Sequence, residues 1–462
     1  MKPRSTASDD DDLFRARLGQ ILDPKHPLIG LADKIDWDQI DERVGLCYAD
    51  EGRPGLSPRL MVGLHYLKHA FDESDESVCE RWVENPYWQY FCGEDYLQHD
   101  LPIDPSSMTK WRDRVGKDLF GDLLGLTIQL GLGLKLMKPK QLAEVAVDTT
   151  VQPKAIAHPT DARLYDKARR KLVQAAKDQG VPLRQSYARK GPEALRKHGR
   201  YAHARQFKRA GRQRKKLRNY LGRILREFER HRQNAGLTGF SETTEQLLVL
   251  CDRLYRQKVK DKNKLYALHA PEVVCIAKGK AKTPYEFGSK VSVTTTLTGG
   301  WALDCTSLYG NPYDGHTLSM RLLATEHRTG VKVDIASVDQ GYRGHGTDEL
   351  LGVTVLMPKD KKRKKASGGK LTRALRRKLK RRNAIEPTIG HLKHDHRMGR
   401  CYLKGEQGDQ INALCAAMGL NLRKLLAGLD RRGRCAVRVV LERLKWLIEH
   451  NANPQKYQSA CG

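Results

Sequence analysis

The stretch VKVDIASVDQGYRG, residues 331–344, decides the fold. Val331 to Val338 is a short run rich in β-branched residues, the pattern of a buried strand. Asp339 closes it just before a turn made of Gly341, Tyr342, Arg343 and Gly344. Upstream, Glu144 to Asp148 (EVAVD) has the same form, an apolar run ending in a carboxylate. Gly288 to Thr298 (GSKVSVTTTLT) predicts a second strand, and the Gly299–Gly300 pair turns the chain into a third, Trp301 to Tyr309. Thr317 to His327 reads as a helix and Val353 to Met357 as a last strand. Strands interleaved with helices in this order predict an α/β fold, a mixed sheet flanked by helices.

Helices surround this core in the sequence. Leu60, Leu64, Leu67 and Phe71 recur at helical spacing behind Ser57 and Pro58, a cap and a first-turn proline. Shorter helices are expected over Val78–Val83 and around Met108, Trp111 and Val115. Ile411 to Leu426 and Val437 to Ile448 predict two C-terminal helices. His65 and His69 share one helical face and read as surface histidines, because no third ligand stands beside them.

The chain has 462 residues with 84 Lys and Arg against 54 Asp and Glu. The excess is localised: Asp161–Arg232 holds 24 basic and six acidic residues, and Lys359–Arg382 holds 14 and one. The remaining 366 residues are nearly neutral, with 46 basic and 47 acidic groups. Such segments suit a polyanion, and duplex DNA is the partner they imply. In the first of them Leu217, Leu221, Ile224, Leu225 and Phe228 mark one face of a basic helix. Its candidate phosphate contacts are Arg205, Lys208, Arg209, Arg212, Arg214, Lys215, Lys216 and Arg218. In the second, Lys361–Gly369 reads as a loop and Leu371–Arg382 as a helix. No membrane partner is expected, since the longest apolar stretch, Leu123–Met137, is short of a span. Met1–Asp12 has no apolar core of a secretory signal, so a cytoplasmic protein is expected. Ten cysteines without a CxxC pair argue against structural zinc and disulfides.

A third acid, Glu386, lies in RRNAIEPTIGHLK behind the second basic segment, with Ile385, Ile389 and Leu392 as its apolar helical neighbours. Asp148, Asp339 and Glu386 together would repel unless cations stood between them, and hard divalent ions prefer oxygen ligands. Two magnesium ions, for which Mn2+ can substitute, are therefore expected as cofactors. Each acid also has a plain structural role open to it: a turn cap for Asp148, a brace for the glycine turn for Asp339, a capping box with Asn383 for Glu386. Asp314 and Asp334 are rivals of Asp339, but Asp314 reads as a turn residue and Asp334 as pointing to the other strand face. A zinc site at His391, His394 and His396 lacks a completing ligand.

Around these acids the sequence resembles the DDE transposases of bacterial insertion sequences, most closely the insertion sequence 5 family. The resemblance rests on Asp148, on Asp339 within DQGYRG, and on the R-x3-E-x6-K spacing of Arg382, Glu386 and Lys393. SPRLMVGLHYLKH, MTKWRDR, YEFGSKVSV and GNPYDGHTL extend it over nearly the whole chain. Where family members usually carry a tyrosine three positions before the arginine, this chain has Leu379. The resemblance implies a ribonuclease-H-like mixed-sheet core with a helical N-terminal domain and a basic helical insertion. It implies an Asp148–Asp339–Glu386 metal triad, DNA contacts from Arg382, Lys393 and Arg343, and cleavage and transfer of DNA strands. The partners it implies are terminal inverted repeats and target DNA, held by a homo-oligomer. The domains then read as 1–137, helical, for DNA-end binding or multimerisation; 138–400, catalytic, interrupted by the insertion 152–283 and the basic loop 359–382; and 401–462, helical. The alternatives are a non-cutting DNA-binding repressor and a magnesium-dependent nuclease.

Overall fold

The computed structural model describes residues 15–49, 51, 55–100, 103–234, 239–277, 284–358 and 372–451, with side chains to residue 431. The expected loop at Lys361–Gly369 lies outside the described residues. Among the described residues seven helices come first: α1 (Leu18–Ile21), α2 (Pro27–Ala32), α3 (Trp37–Gly45), α4 (Pro58–Ala70), α5 (Asp75–Glu84), α6 (Pro86–Phe91) and α7 (Ser106–Gly133). Ser57 caps α4 as its sequence predicts, its hydroxyl accepting from the Leu60 amide.

The histidines of α4 require a correction, because His65 and His69 are buried rather than on the surface. The helix is covered on almost every side: Tyr66 donates to the Leu123 carbonyl of α7, and Gly419 of the C-terminal helix abuts the His69 carbonyl. A helix in the middle of a bundle has no polar face to show. Burial, with the charge of Arg112 beside it, pushes His65 down to about 3, so the imidazole stays neutral. Nearby, Asp75 pairs with both Lys68 and Arg112 at 2.6 Å.

Among the described residues the sheet has six strands: β1 (Glu144–Pro153), β2 (Val274–Ala277), β3 (Tyr285–Thr296), β4 (Ala302–Leu308), β5 (Ile335–Ser337) and β6 (Thr354–Leu356). β3 runs antiparallel to β1 on one side, from Val145 opposite Thr296 to Pro153 opposite Gly288. On its other side it pairs antiparallel with β2 near its start and with β4 near its end. β1 continues into parallel β5, and β5 into parallel β6. The α/β class expected from the sequence is what forms, a mixed sheet with helices around it.

Between β1 and β2 lie α8 (Asp161–Asp178), α9 (Lys190–His203), α10 (Phe207–Asn234) and α11 (Glu242–Arg256). They close a core of their own around Leu164, Leu172, Leu221, Ile224, Phe228 and Leu254. The insertion is narrower than 152–283, since β1 reaches Pro153 and β2 joins the sheet. After β4 come α12 (Asp314–Thr329), α13 (Thr347–Leu351), α14 (Arg373–Arg381), α15 (Ile385–His394) and α16 (Gly405–Asn451). The two expected C-terminal helices are thus one, which no proline interrupts between residues 405 and 451.

Candidate functional site

Asp148 stands in mid-strand rather than at a strand end, because β1 runs on to Pro153. It nonetheless lies just past the parallel ladder, whose last pair is Ala146 with Ser337. Beyond that point β5 has turned away, and the side of β1 that faced it opens. Asp339 follows on this edge as cap of a 3-10 turn, Gln340–Tyr342, its Oδ1 accepting from the Gly341 amide at 2.8 Å. It therefore does brace the glycine turn, with its second oxygen left over. Asp334, exposed ahead of β5, precedes a strand only three residues long, so the two acids do not share one strand.

Glu386 arrives from far along the chain. Ile385 and Ile389 of α15 pack on Ala146 and Leu297. Ala146 and Asp148 share a face of β1, as residues two apart on a strand do. Seating α15 there sets Glu386, in its first turn, beside Asp148. Pro387 is the third residue of α15, in the first turn, where a missing amide costs nothing. Ala384, without a side-chain bond, is the cap, so no capping box with Asn383 forms. Ahead of it, α14 straps the end of the sheet: Lys378 pairs with Glu144 at 3.0 Å and Arg381 bonds Thr298 at 3.0 Å.

Arg382 closes the arrangement. Its guanidinium donates to Asp148 Oδ2 at 2.9 Å and stands 3.9 Å from Glu386 Oε1. Burial pushes the Asp148 carboxyl up to about 6; Arg382 works against this, while the charges of Asp339 and Glu386 add to it. Asp339 and Glu386 thus both sit within electrostatic reach of Asp148. All their donors are oxygens and negative charge is in excess, which suits a hard divalent cation in chemistry. In geometry, no three His, Cys, Asp or Glu side chains among the described residues are arranged as a ready cation site, and a guanidinium stands at Asp148 instead.

An excess of this kind lowers stability when Asp148 is ionised. A carboxyl whose folded pKa is raised from 3.8 to about 6 leaves stability highest below the lower value and loses it as pH rises through the interval. We expect Asp148→Asn to raise stability at pH 7 by on the order of 2 kcal/mol and to have a smaller effect at pH 4, by urea unfolding. A variant less stable than wild type at pH 7 would mean that the Arg382 pair outweighs burial.

The remaining candidates spread over several elements. Lys393 stands half-buried in the last turn of α15, Leu379 is half-buried on α14, and Arg343 is exposed with its guanidinium on Gln340. Of the histidines, His391 pairs with Asp395 at 2.6 Å, and His396 is buried against the His69 carbonyl. On α10, Lys208, Arg212 and Lys215 lie opposite the buried Leu217, Leu221, Ile224 and Phe228 and form no ion pair among the described residues. Arg226 continues that face and was missed by the sequence reading. Lys208 to Arg226 spans roughly 27 Å of helix. Arg205, in the α9–α10 turn, Arg209, bonded to Gln206, and Lys216 are exposed to either side. Arg214 and Arg218 are already engaged, the first 3.5 Å from Asp161 and the second donating to the Tyr255 carbonyl.

Comparison with known proteins adds the relationship. Residues 16–114 match a family described as Transposase domain (DUF772), and residues 352–426 match the Transposase DDE domain family. The second match includes Glu386 but neither Asp148 nor Asp339. The chain is similar to an uncharacterized protein, ORF8 in the nfe locus of Rhizobium meliloti, at 53% identity over 207 residues. That is 45% of this chain and the whole of the relative. No solved structure matches.

Proposed function

The chain belongs to the DDE transposases of insertion sequences, and we propose that it cuts the ends of its element and joins them to target DNA at Asp148, Asp339 and Glu386. The observation that carries this reading is the largely buried Asp148, which feels two more acids and is bonded by Arg382 just past the β1–β5 ladder. Three antiparallel strands continued by two parallel ones, β4-β3-β1-β5-β6, support a ribonuclease-H-like core. The motif spacing favours the insertion sequence 5 family.

The three carboxylates would hold magnesium, two ions on this reading. Held by these carboxylates, divalent metal would supply Lewis-acid activation of a water or a DNA 3′-hydroxyl and charge stabilisation of the leaving oxygen. Arg382 must then release Asp148, and its guanidinium, always charged, is free to hold a phosphate near the cut. Lys393, Arg343 and α14 would contact the DNA backbone near the cut, and the outward face of α10 would hold duplex through its exposed cations. No helix among the described residues is long and apolar enough to cross a membrane; a cytoplasmic oligomer bridging two DNA ends fits the reading.

The test is a duplex carrying the inverted repeats that flank the gene, with magnesium and a target plasmid. Cleavage followed by joining of the new 3′-hydroxyl is expected. Cleavage without joining would make the protein a nuclease, and binding without cleavage a repressor.

A further inference from the structure

Asp314 opens α12 and reads, in the sequence, as a turn residue. In the structure it faces the Asp339 turn. Lys290 of β3 pairs with Asp314 Oδ1 at 2.6 Å and also donates to the Pro312 carbonyl at 2.8 Å, so one half-buried lysine fixes the β4–α12 loop at two points. The neighbouring Tyr313 donates its hydroxyl to the Arg343 carbonyl at 2.9 Å, tying the same loop to the far side of the turn.

Two glycines set how closely these segments meet. A Cβ on Gly341 would stand 2.9 Å from Asp339 Oδ1 and 3.3 Å from Asp314 Oδ2, so both carboxylates lie against one backbone position. A Cβ on Gly315 would stand 3.2 Å from the Arg343 carbonyl and 3.3 Å from that of Tyr342. The first turn of α12 is therefore pressed on the segment that carries Asp339. Tyr342, buried beneath, feels the charges of Asp314, Asp148 and Asp339 together, which add to burial in pushing its hydroxyl up.

Two carboxylates so close would repel and splay the turn. Lys290 takes up the charge of Asp314 and leaves Asp339 as the acid available to a cation. Around the opening stand four carboxylates, Asp148, Asp314, Asp339 and Glu386, against two paired cations, Lys290 and Arg382. The remainder is two negative charges, and release of Asp148 by Arg382 raises it to three, in favour of divalent cations.

We propose that Asp314, held by Lys290, is a positioning residue that sets the Asp339 carboxylate for strand cleavage without itself ligating the ion. The inference rests on the reading of Asp339 as a metal-holding acid. Groups that orient metal ligands change affinity or activity by about 10–100-fold when removed.

The experiment titrates the full chain with Mn2+ by electron paramagnetic resonance and measures cleavage of repeat-bearing duplex. Asp314→Asn and Lys290→Met are each expected to weaken Mn2+ binding and lower kcat about tenfold or more, with KM for DNA within about twofold. The double variant should be no worse than either single one, because both remove the same pair. Gly341→Ala, which keeps both partners of the pair and crowds Asp339 more closely than Asp314, should show the same loss, and Asp314→Glu should restore part of it. Full Mn2+ affinity and kcat in Asp314→Asn would overturn the proposal. So would a loss of Mn2+ as complete as in Asp339→Asn, which would make Asp314 a ligand. If Asp339→Asn itself keeps cutting, it is the reading of the triad that fails.

Discussion

Asp148→Asn, Asp339→Asn and Glu386→Gln are each expected to lower strand cleavage by roughly a thousandfold or more, on the order of 4 kcal/mol of transition-state stabilisation. Each change keeps the shape of the side chain and removes one charged donor, so affinity for duplex DNA should stay within about twofold. The reason is spatial: Asp148 lies just past the β1–β5 ladder and feels the charges of Asp339 and Glu386, whereas the exposed cations of α10 stand on a helix with a separate core. A gel-shift assay beside a cleavage assay separates the two properties. Glu386 is the most informative of the three. Its side chain is largely exposed and the helix is seated by Ile385 and Ile389, so a loss of cutting cannot be assigned to lost packing. Cleavage retained by any one variant would remove that residue from the triad.

The second large effect concerns α10. Replacing Lys208, Arg212, Lys215 and Arg226 with Gln should weaken binding to every duplex and reduce the slope of log affinity against log salt by about 3 to 4, near 0.9 for each phosphate no longer neutralised. Arg214→Gln and Arg218→Gln serve as the contrast. Their guanidiniums are held by Asp161 and by the Tyr255 carbonyl, so they should lower stability slightly and leave the salt slope nearly unchanged. An unchanged slope in the four-fold variant would make this face a solvated one. The reading of the sequence put all of Arg205–Arg218 in one group, because composition registers charge and not the direction in which a helix presents it.

The same limit explains most of what the sequence did and did not reveal. β3 and β4 were legible because β-branched runs bounded by glycines are local signals, whereas the four-residue β2 carries no such run and was left inside the expected insertion. Asp148 and Asp339 were legible as candidates because each follows an apolar run, and Glu386 because of the spacing of Arg382, Glu386 and Lys393. The burial of His65 and His69 was not, since it depends on α7 and α16 closing over α4 from distant parts of the chain. Nor was the end of β1: its residues past Asp148, Thr149 to Gln152, are as strand-like as those before it, and what changes there is the neighbour, not the sequence. Arg382 on Asp148 and Lys290 on Asp314 are pairings across 234 and 24 residues, which no spacing rule encodes. Asp314 carried one available signal, an acid within a glycine-bounded turn of the motif GNPYDGHTL, and turn chemistry alone accounted for it.

Divalent-ion dependence is general among DDE transposases, and the claim on which this account depends is narrower: that Asp148, Asp339 and Glu386 share one cation site. The most direct measurement is Mn2+ binding by the full chain on uncleaved repeat duplex, followed by electron paramagnetic resonance in wild type and in the three single variants. Binding in wild type that weakens sharply in each of Asp148→Asn, Asp339→Asn and Glu386→Gln is the expected result. Three variants that bind Mn2+ as wild type does would contradict it.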